Sequence, residues 1–186
     1  MARNDDDEFA AFAAASGGSL RRTAYLICGD WDRAADVTQE ALIRMYVAWP
    51  RLDRQRSLLG YARRTAVRIA IDQARKRSSH EVPTLDLVDA TTDDVTGQVT
   101  DRVLLMAALA DLPPRQRACV VLRYYEDLSV EAVAEALGCR AGTVKSQTAR
   151  GLDALRAAYA SRGGELGLPH AQHDTAGVSA AEEVLP

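Results

Sequence analysis

The chain has 186 residues, enough for one ordinary domain or two small ones. Its wealth of Ala, Leu, Val and Arg and its 5% aromatic content favour helices, and the absence of an apolar run of eighteen residues excludes a transmembrane helix. Lys and Arg number 23 against 26 Asp and Glu, a net charge of −3, so any nucleic-acid contact must come from local clusters.

Residues 1–8 are acidic from Asp5 to Glu8 and read as a disordered N-terminus without the apolar core of a secretory leader. Phe9, Phe12, Leu20, Ala24 and Leu26 mark an amphipathic helix, with an interruption expected at Gly17-Gly18. Gly29-Asp30 is a turn, and Asp30 or Asp32 can cap the next helix, from about Arg33 to Trp49. Its buried stripe is Ala34, Val37, Ala41, Leu42, Met45 and Trp49; Asp36, Gln39, Glu40 and Ile43 share a different face, and Pro50 ends it. Arg51 to Ser57 is a polar loop that carries Arg54 and Arg56. A helix from Leu58 to Arg77 follows, with Ala62, Ala66, Ile69, Ala70 and Gln73 as a weak apolar stripe. Arg64, Arg68 and Arg75 line another of its faces, and like charges four apart repel. Such a stripe is either tolerated in water or neutralised by phosphate.

Periodicity vanishes from Ser78 to about Thr100, where Thr, Asp and Val dominate, and residues 78–101 read as a flexible acidic linker. Stretched, about 22 residues at about 3.3–3.6 Å each reach roughly 70–80 Å, or about two turns of duplex. Val103, Leu104, Met106, Ala107 and Leu109 open a second helical unit, and Pro114 suits the first turn of its next helix. Leu128 to Leu155 then carries the pattern of a helix-turn-helix. Ser129 can cap the first helix; Val130, Val133, Ala134 and Leu137 face inward; Gly138 can take the left-handed turn. Arg140 is a poor cap for the second helix, which turns Val144, Leu152 and Leu155 inward. The outer face of that helix offers Thr143, Lys145, Ser146, Gln147 and Arg150, with Arg140 just before it. Lys145 and Arg150 suit phosphate or guanine, and the Gln147 amide suits adenine. An ordinary helical hairpin with a solvated polar face is the alternative. The tail from 161 to 186 reads as disordered.

The expected architecture is therefore all-α: two small helical domains, over 9–77 and 102–160, joined by the linker. Basic residues concentrate in Arg51–Arg77 and again in Arg140–Arg162, which suggests two nucleic-acid contacts held apart by the acidic connector. Cys28, Cys119 and Cys139 are odd in number and widely spaced, which suits a reduced, cytoplasmic setting. His170 and His173 have too few companions for a metal site, and neither a phosphate loop nor a nucleophile–base pair is present; no cofactor and no catalysis are expected. A helix-turn-helix repressor acting alone is the rival reading, although residues 9–77 resemble neither a receiver nor a ligand domain.

Asp36-Val37-Thr38-Gln39-Glu40-Ala41-Leu42 resembles the signature of bacterial sigma factor domain 2, and Ala70-Ile71-Asp72 with Arg75-Lys76-Arg77 resembles the end of that domain. Leu112-Pro113-Pro114-Arg115-Gln116-Arg117, the stretch Leu122–Ser129 and Gly142-Thr143-Val144-Lys145-Ser146 resemble sigma domain 4. The lack of a domain between them resembles the extracytoplasmic-function group, and Ala24-Tyr25-Leu26 with Gly29-Asp30 resembles its actinobacterial members. Tyr61, Arg68 and Gln147 stand where many relatives have Trp, Asn and Arg.

The resemblance implies a promoter-specific initiation factor that binds RNA polymerase core. Asp36, Gln39, Glu40 and Ile43 would dock on the β′ clamp, and domain 4 on the β flap. Arg54, Arg56, Arg64, Arg68, Arg75, Lys76 and Arg77 would contact the −10 element. Arg140, Thr143, Lys145, Ser146, Gln147 and Arg150 would contact the −35 element. An anti-sigma factor is a further candidate partner.

Overall fold

The computed structural model describes residues 3–53, 57–77 and 96–164, and every regular element among them is helical. Arg54 and Arg56, the linker up to residue 95 and the tail from 165, with His170 and His173, lie outside the described residues. The first unit consists of α1 (Arg3–Cys28), α2 (Trp31–Ala48), a 3-10 turn (Trp49–Arg51) and α3 (Leu58–Arg77). The second consists of α4 (Thr96–Ala110), α5 (Pro114–Val120) with a π-helical turn (Val121–Tyr125), α6 (Val130–Leu137) and α7 (Ala141–Ala160).

Helix α1 corrects two expectations. It already runs at Arg3, where disorder to residue 8 was expected, and it passes Gly17-Gly18 without a break. Asp5 and Asp6 lie in its first turn, where carboxylates favour the positive end of the helix dipole. Phe9 packs edge-on against Tyr46 and Trp49 at 5.0 and 5.2 Å, and Tyr46 donates to Asp6 at 3.0 Å. Each glycine costs about 1 kcal/mol against Ala. Packing of Phe9, Phe12 and Leu20 on Met45 and Trp49 outweighs that cost.

Other elements follow local chemistry. Asp30 caps α2, its carboxylate accepting from Asp32 N and Arg33 N at 2.9 and 3.0 Å. Ala34, Val37, Ala41, Met45 and Trp49 are buried, as their spacing predicts. Ser129 caps α6 through Ala132 N at 3.1 Å, and Gly138 takes the left-handed conformation at φ 62°. Arg140 opens α7 without a side-chain cap. Two boundaries move. Helix α4 starts at Thr96 rather than near Asp101, and the second unit continues past 160, where Arg162 meets Asp111 at 2.7 Å.

The largest departure concerns the two units, which are packed together rather than held apart. One core takes Ala24 and Ile27 from α1, Val37 from α2, and Ala66, Val67 and Ala70 from α3. The same core takes Cys119 and Leu122 from the second unit, with Val133 from α6 and Val144 from α7. Ala66, Ile69 and Ala70 of the weak α3 stripe thus belong to a core that both units share, whereas Ala62 packs within the first unit with Leu20, Met45 and Trp49. Small side chains let helices come near, and burial of their apolar area favours the contact. Within the second unit, α7 crosses α5 closely: a Cβ placed on the buried Gly151 would lie 2.8 Å from Val120 Cγ2 and 3.1 Å from Gln116 O.

Candidate nucleic-acid interface

Helix α7 presents the outer face that its sequence predicts. Val144, Leu152 and Leu155 are buried, while Thr143, Lys145, Ser146 and Arg150, with Arg140 before them, are exposed. Gln147 is half-buried at the edge of this face. Ser146 Oγ donates to Thr143 O at 3.0 Å, so its hydroxyl is turned along the helix. The cap at Ser129 and the turn at Gly138 set α6 against α7, and the cations of α7 stand exposed on the helix that enters the major groove in this motif.

The basic face of α3 stands differently. Arg64 pairs with Glu135 of α6. Arg68 donates from Nε to Ala136 O at 2.8 Å and from Nη2 to Glu135 O at 3.0 Å. These are carbonyls of the last turn of α6, where the helix dipole is negative. Arg63, absent from the sequence-predicted set, pairs with Glu126 at 2.6 Å, and Glu126 also accepts from Thr23 Oγ1. Arg75 is exposed beside Asp72 at 3.7 Å, and Lys76 is exposed. Arg77 ends the helix. The choice between solvation and phosphate for this stripe thus has a third answer in this arrangement: carboxylates and carbonyls of the same chain.

A third face lies on α2. Asp36, Gln39 and Ile43 are exposed in one line, with Ile43 at 56%. Glu40 is held at the edge by Arg44 and by Gln73 Nε2 at 3.5 Å. The line continues to Tyr46 and to Val47, 73% exposed. Those two were missed in the sequence, although they follow Ile43 at i+3 and i+4.

One buried cation ties the halves together, and a buried thiol lies in their shared core. Arg117 donates to Ile27 O at 2.9 Å, at the C-terminal end of α1, and to Leu112 O at 3.2 Å and Ala110 O. Burial pulls its guanidinium below the ordinary range, opposed by Cys28 and Asp111. Burial, and then Cys139, push the Cys119 thiol from 9.0 up to about 11; Arg115 and the nearby Thr148 side chain oppose the shift. Such a thiol stays protonated and serves packing rather than nucleophilic chemistry. Among the described residues no cluster of His, Cys, Asp and Glu could hold a metal ion, and no helix is long and apolar enough to cross a membrane.

Comparison with known proteins matches both halves. Residues 12–80 match Sigma-70 region 2, and residues 102–155 match Sigma-70 region 4. The RNA polymerase sigma-E factor of Streptomyces avermitilis is 41% identical over 162 residues, which cover 87% of this chain and 90% of that protein. The ECF RNA polymerase sigma factor SigW of Bacillus subtilis is 30% identical, over 83% of this chain and 90% of its own. Among solved structures, the sigma factor RpoE in complex with the anti-sigma factor NepR, from Bartonella quintana, shares the fold. Its TM-score is 0.67 at 21% identity, over 81% of this chain and 96% of that one. With both regions matched in order and full-length relatives at this identity, the chain belongs to the ECF sigma factors, which direct RNA polymerase to specific promoters.

Proposed function

We propose a division of labour among three helices. The α2 face of Asp36, Gln39, Glu40 and Ile43, extended by Tyr46 and Val47, docks on the β′ clamp of the polymerase core. The arginines of α3, with Lys76, Arg77 and the Arg54–Arg56 loop, contact the −10 element. Arg140, Thr143, Lys145, Ser146, Gln147 and Arg150 contact the −35 element while the second unit rests on the β flap. The protein acts in the cytoplasm by positioning, not by catalysis. An anti-sigma factor, the kind of partner named for the Bartonella relative, is proposed as a regulator.

The observation that supports this reading best is the exposed α7 face on a helix-turn-helix whose cap and turn are both formed. Phosphate contacts carry affinity and salt dependence, whereas base contacts discriminate. Gln147 is assigned to reading and Lys145 to positioning. Run-off transcription with purified core polymerase, with start sites mapped and a library of −35 sequences, tests the assignment. Gln147→Ala should change preference at one base pair by about 1–3 kcal/mol. Alanine at Gln39 and Asp36 should weaken core binding with little change in melting temperature. Failure to recover core polymerase with the chain would remove the reading altogether and leave a self-sufficient DNA-binding regulator.

A further inference from the structure

Cys28 is the last residue of α1 and is half-buried. A guanidinium flanks it on both sides. Arg117 Nη1 donates to Ile27 O at 2.9 Å, and it lies 3.8 Å from the place that a Cβ would take on Gly29. Arg117 is only 9% exposed. Its Nη1 and Nη2 are engaged with the carbonyls of Ile27, Ala110 and Leu112, but its Nε–H has no hydrogen-bond partner among the described residues. A buried donor without an acceptor calls for an explanation. Of the charges that oppose the pull of burial on this cation, Cys28 comes before Asp111. The last turn of a helix is negative and by itself disfavours a thiolate. Here two of its carbonyls are already taken, Ile27 O by Arg117 and Tyr25 O by Gly29 N at 2.7 Å. A full positive charge beside a half-buried thiol favours the thiolate, the reactive form.

We propose that Cys28 is a redox modification site whose co-reactant is a hydroperoxide, and that Arg117 holds first the thiolate and then its oxidation product. The thiolate attacks the terminal, hydrogen-bearing oxygen of the peroxide. An S–O bond forms and the O–O bond breaks. The sulfur gives up two electrons and the peroxide gains them. The leaving alkoxide, or hydroxide when the oxidant is hydrogen peroxide, takes a proton from water. The product at Cys28 is a sulfenic acid, which thiols can reverse. Its oxygen supplies the acceptor that the Arg117 Nε–H lacks, and a bond between charged groups is among the stronger ones. The site also has a route to the rest of the molecule. Arg117 lies in α5 between Gln116 and Val120, the two residues against which Gly151 of α7 packs. A new acceptor at Cys28 therefore acts on the residue that fixes the seat of α7. None of this depends on which DNA element either unit meets.

The test uses the purified, reduced full-length chain. Limiting hydrogen peroxide is added together with dimedone, which traps sulfenic acids, and peptide mass spectrometry locates the adduct. The label should collect at Cys28 and spare the buried Cys119. In parallel, alkylation by iodoacetamide near neutral pH is timed at each cysteine. Cys139 is the internal control: it too is half-buried, and the nearby Arg68 is already spent on the carbonyls of α6. Cys28 should react about tenfold faster than Cys139. Arg117→Met should slow both reactions at Cys28 by about the same factor and leave Cys139 unchanged. Should that variant lose helical circular dichroism, the comparison of Cys28 with Cys139 within the unaltered chain carries the test. Equal rates at the two thiols, or a first adduct at Cys119 or Cys139, overturn the proposal. So does a folded Arg117→Met variant whose Cys28 oxidises as fast as before.

Discussion

Helices α3 and α7 are both 20 residues long, both carry cations on one side, and they belong to units matched to Sigma-70 regions 2 and 4. Their cations nevertheless have different fates. On α7, Lys145 and Arg150 stand in solvent; on α3, Arg63, Arg64 and Arg68 are bonded within the chain. The comparison teaches that a basic stripe reports a need for negative charge and not its source. Some of the acid is placed against the base, so the chain need not bind DNA strongly before it meets the polymerase.

The comparison breaks most directly at the buried pair. Glu126→Ala leaves Arg63 without its carboxylate, while Thr23 keeps the Ser19 carbonyl, and should lower stability by about 3–5 kcal/mol. The matching change on α7, Asp153→Ala, removes an exposed pair with Arg156 and should stay within about 0.5 kcal/mol. Equal effects in urea titrations would mean that the α3 contact is no more buried than the α7 surface.

Next in size is Arg117→Met, which keeps the volume of the side chain but strands the carbonyls of Ile27, Ala110 and Leu112. A loss of about 2–3 kcal/mol is expected from buried acceptors without donors. Hydrogen exchange should locate the loosening at the end of α1 as well as around α5. A change confined to α5 would show that the units are not coupled through this residue.

The shared core can be tested by pH. The Cys119 thiol titrates at about 11 in the folded chain against an ordinary 9.0, so the unfolded chain loses the proton first. Stability from this group is fully present below pH 9 and falls as pH rises toward 11, by about 1–3 kcal/mol. Cys119→Ala should flatten that limb of the melting curve. A limb that persists in the variant would assign the effect to another group.

The smallest effect is the most discriminating. With the free chain and duplex DNA, Lys145→Ala should weaken binding a few-fold and reduce the salt slope by about one unit. Arg64→Ala should leave the same titration unchanged, because Glu135 already holds that guanidinium. Equal losses would show both helices open in solution.

Much of this could be read from the sequence where the cause was local. Asp30, Ser129 and Gly138 announce caps and a turn because a carboxylate, a hydroxyl and a missing Cβ act within four residues of themselves. The stripe of α2 and the inner face of α7 follow from periodicity alone. The continuity of α1 was not legible, because Gly17 and Gly18 weigh against a helix locally and packing on Trp49 decides it from a distance. Nor was the burial of Ala136, or the bonding of Arg63, Arg64, Arg68 and Arg117. Each depends on contact with the other unit across the linker. The position of Arg117, at the head of the apolar run Ala118–Leu122, was the one hint of a buried cation.

Gly151 gives the reading helix a fulcrum. It touches α5 six residues beyond Lys145, so the contact acts on a lever arm of about 9 Å at about 1.5 Å per residue. A tilt of about 10° at that point would move the Lys145 backbone by roughly 1.6 Å, half the spacing of adjacent base pairs at about 3.4 Å. The missing side chain at residue 151 therefore works as a gauge: it sets the pitch at which α7, the proposed reader, would meet the double helix. A methyl group there would leave every side chain of the proposed DNA face intact and still move the whole row of them out of step with the bases.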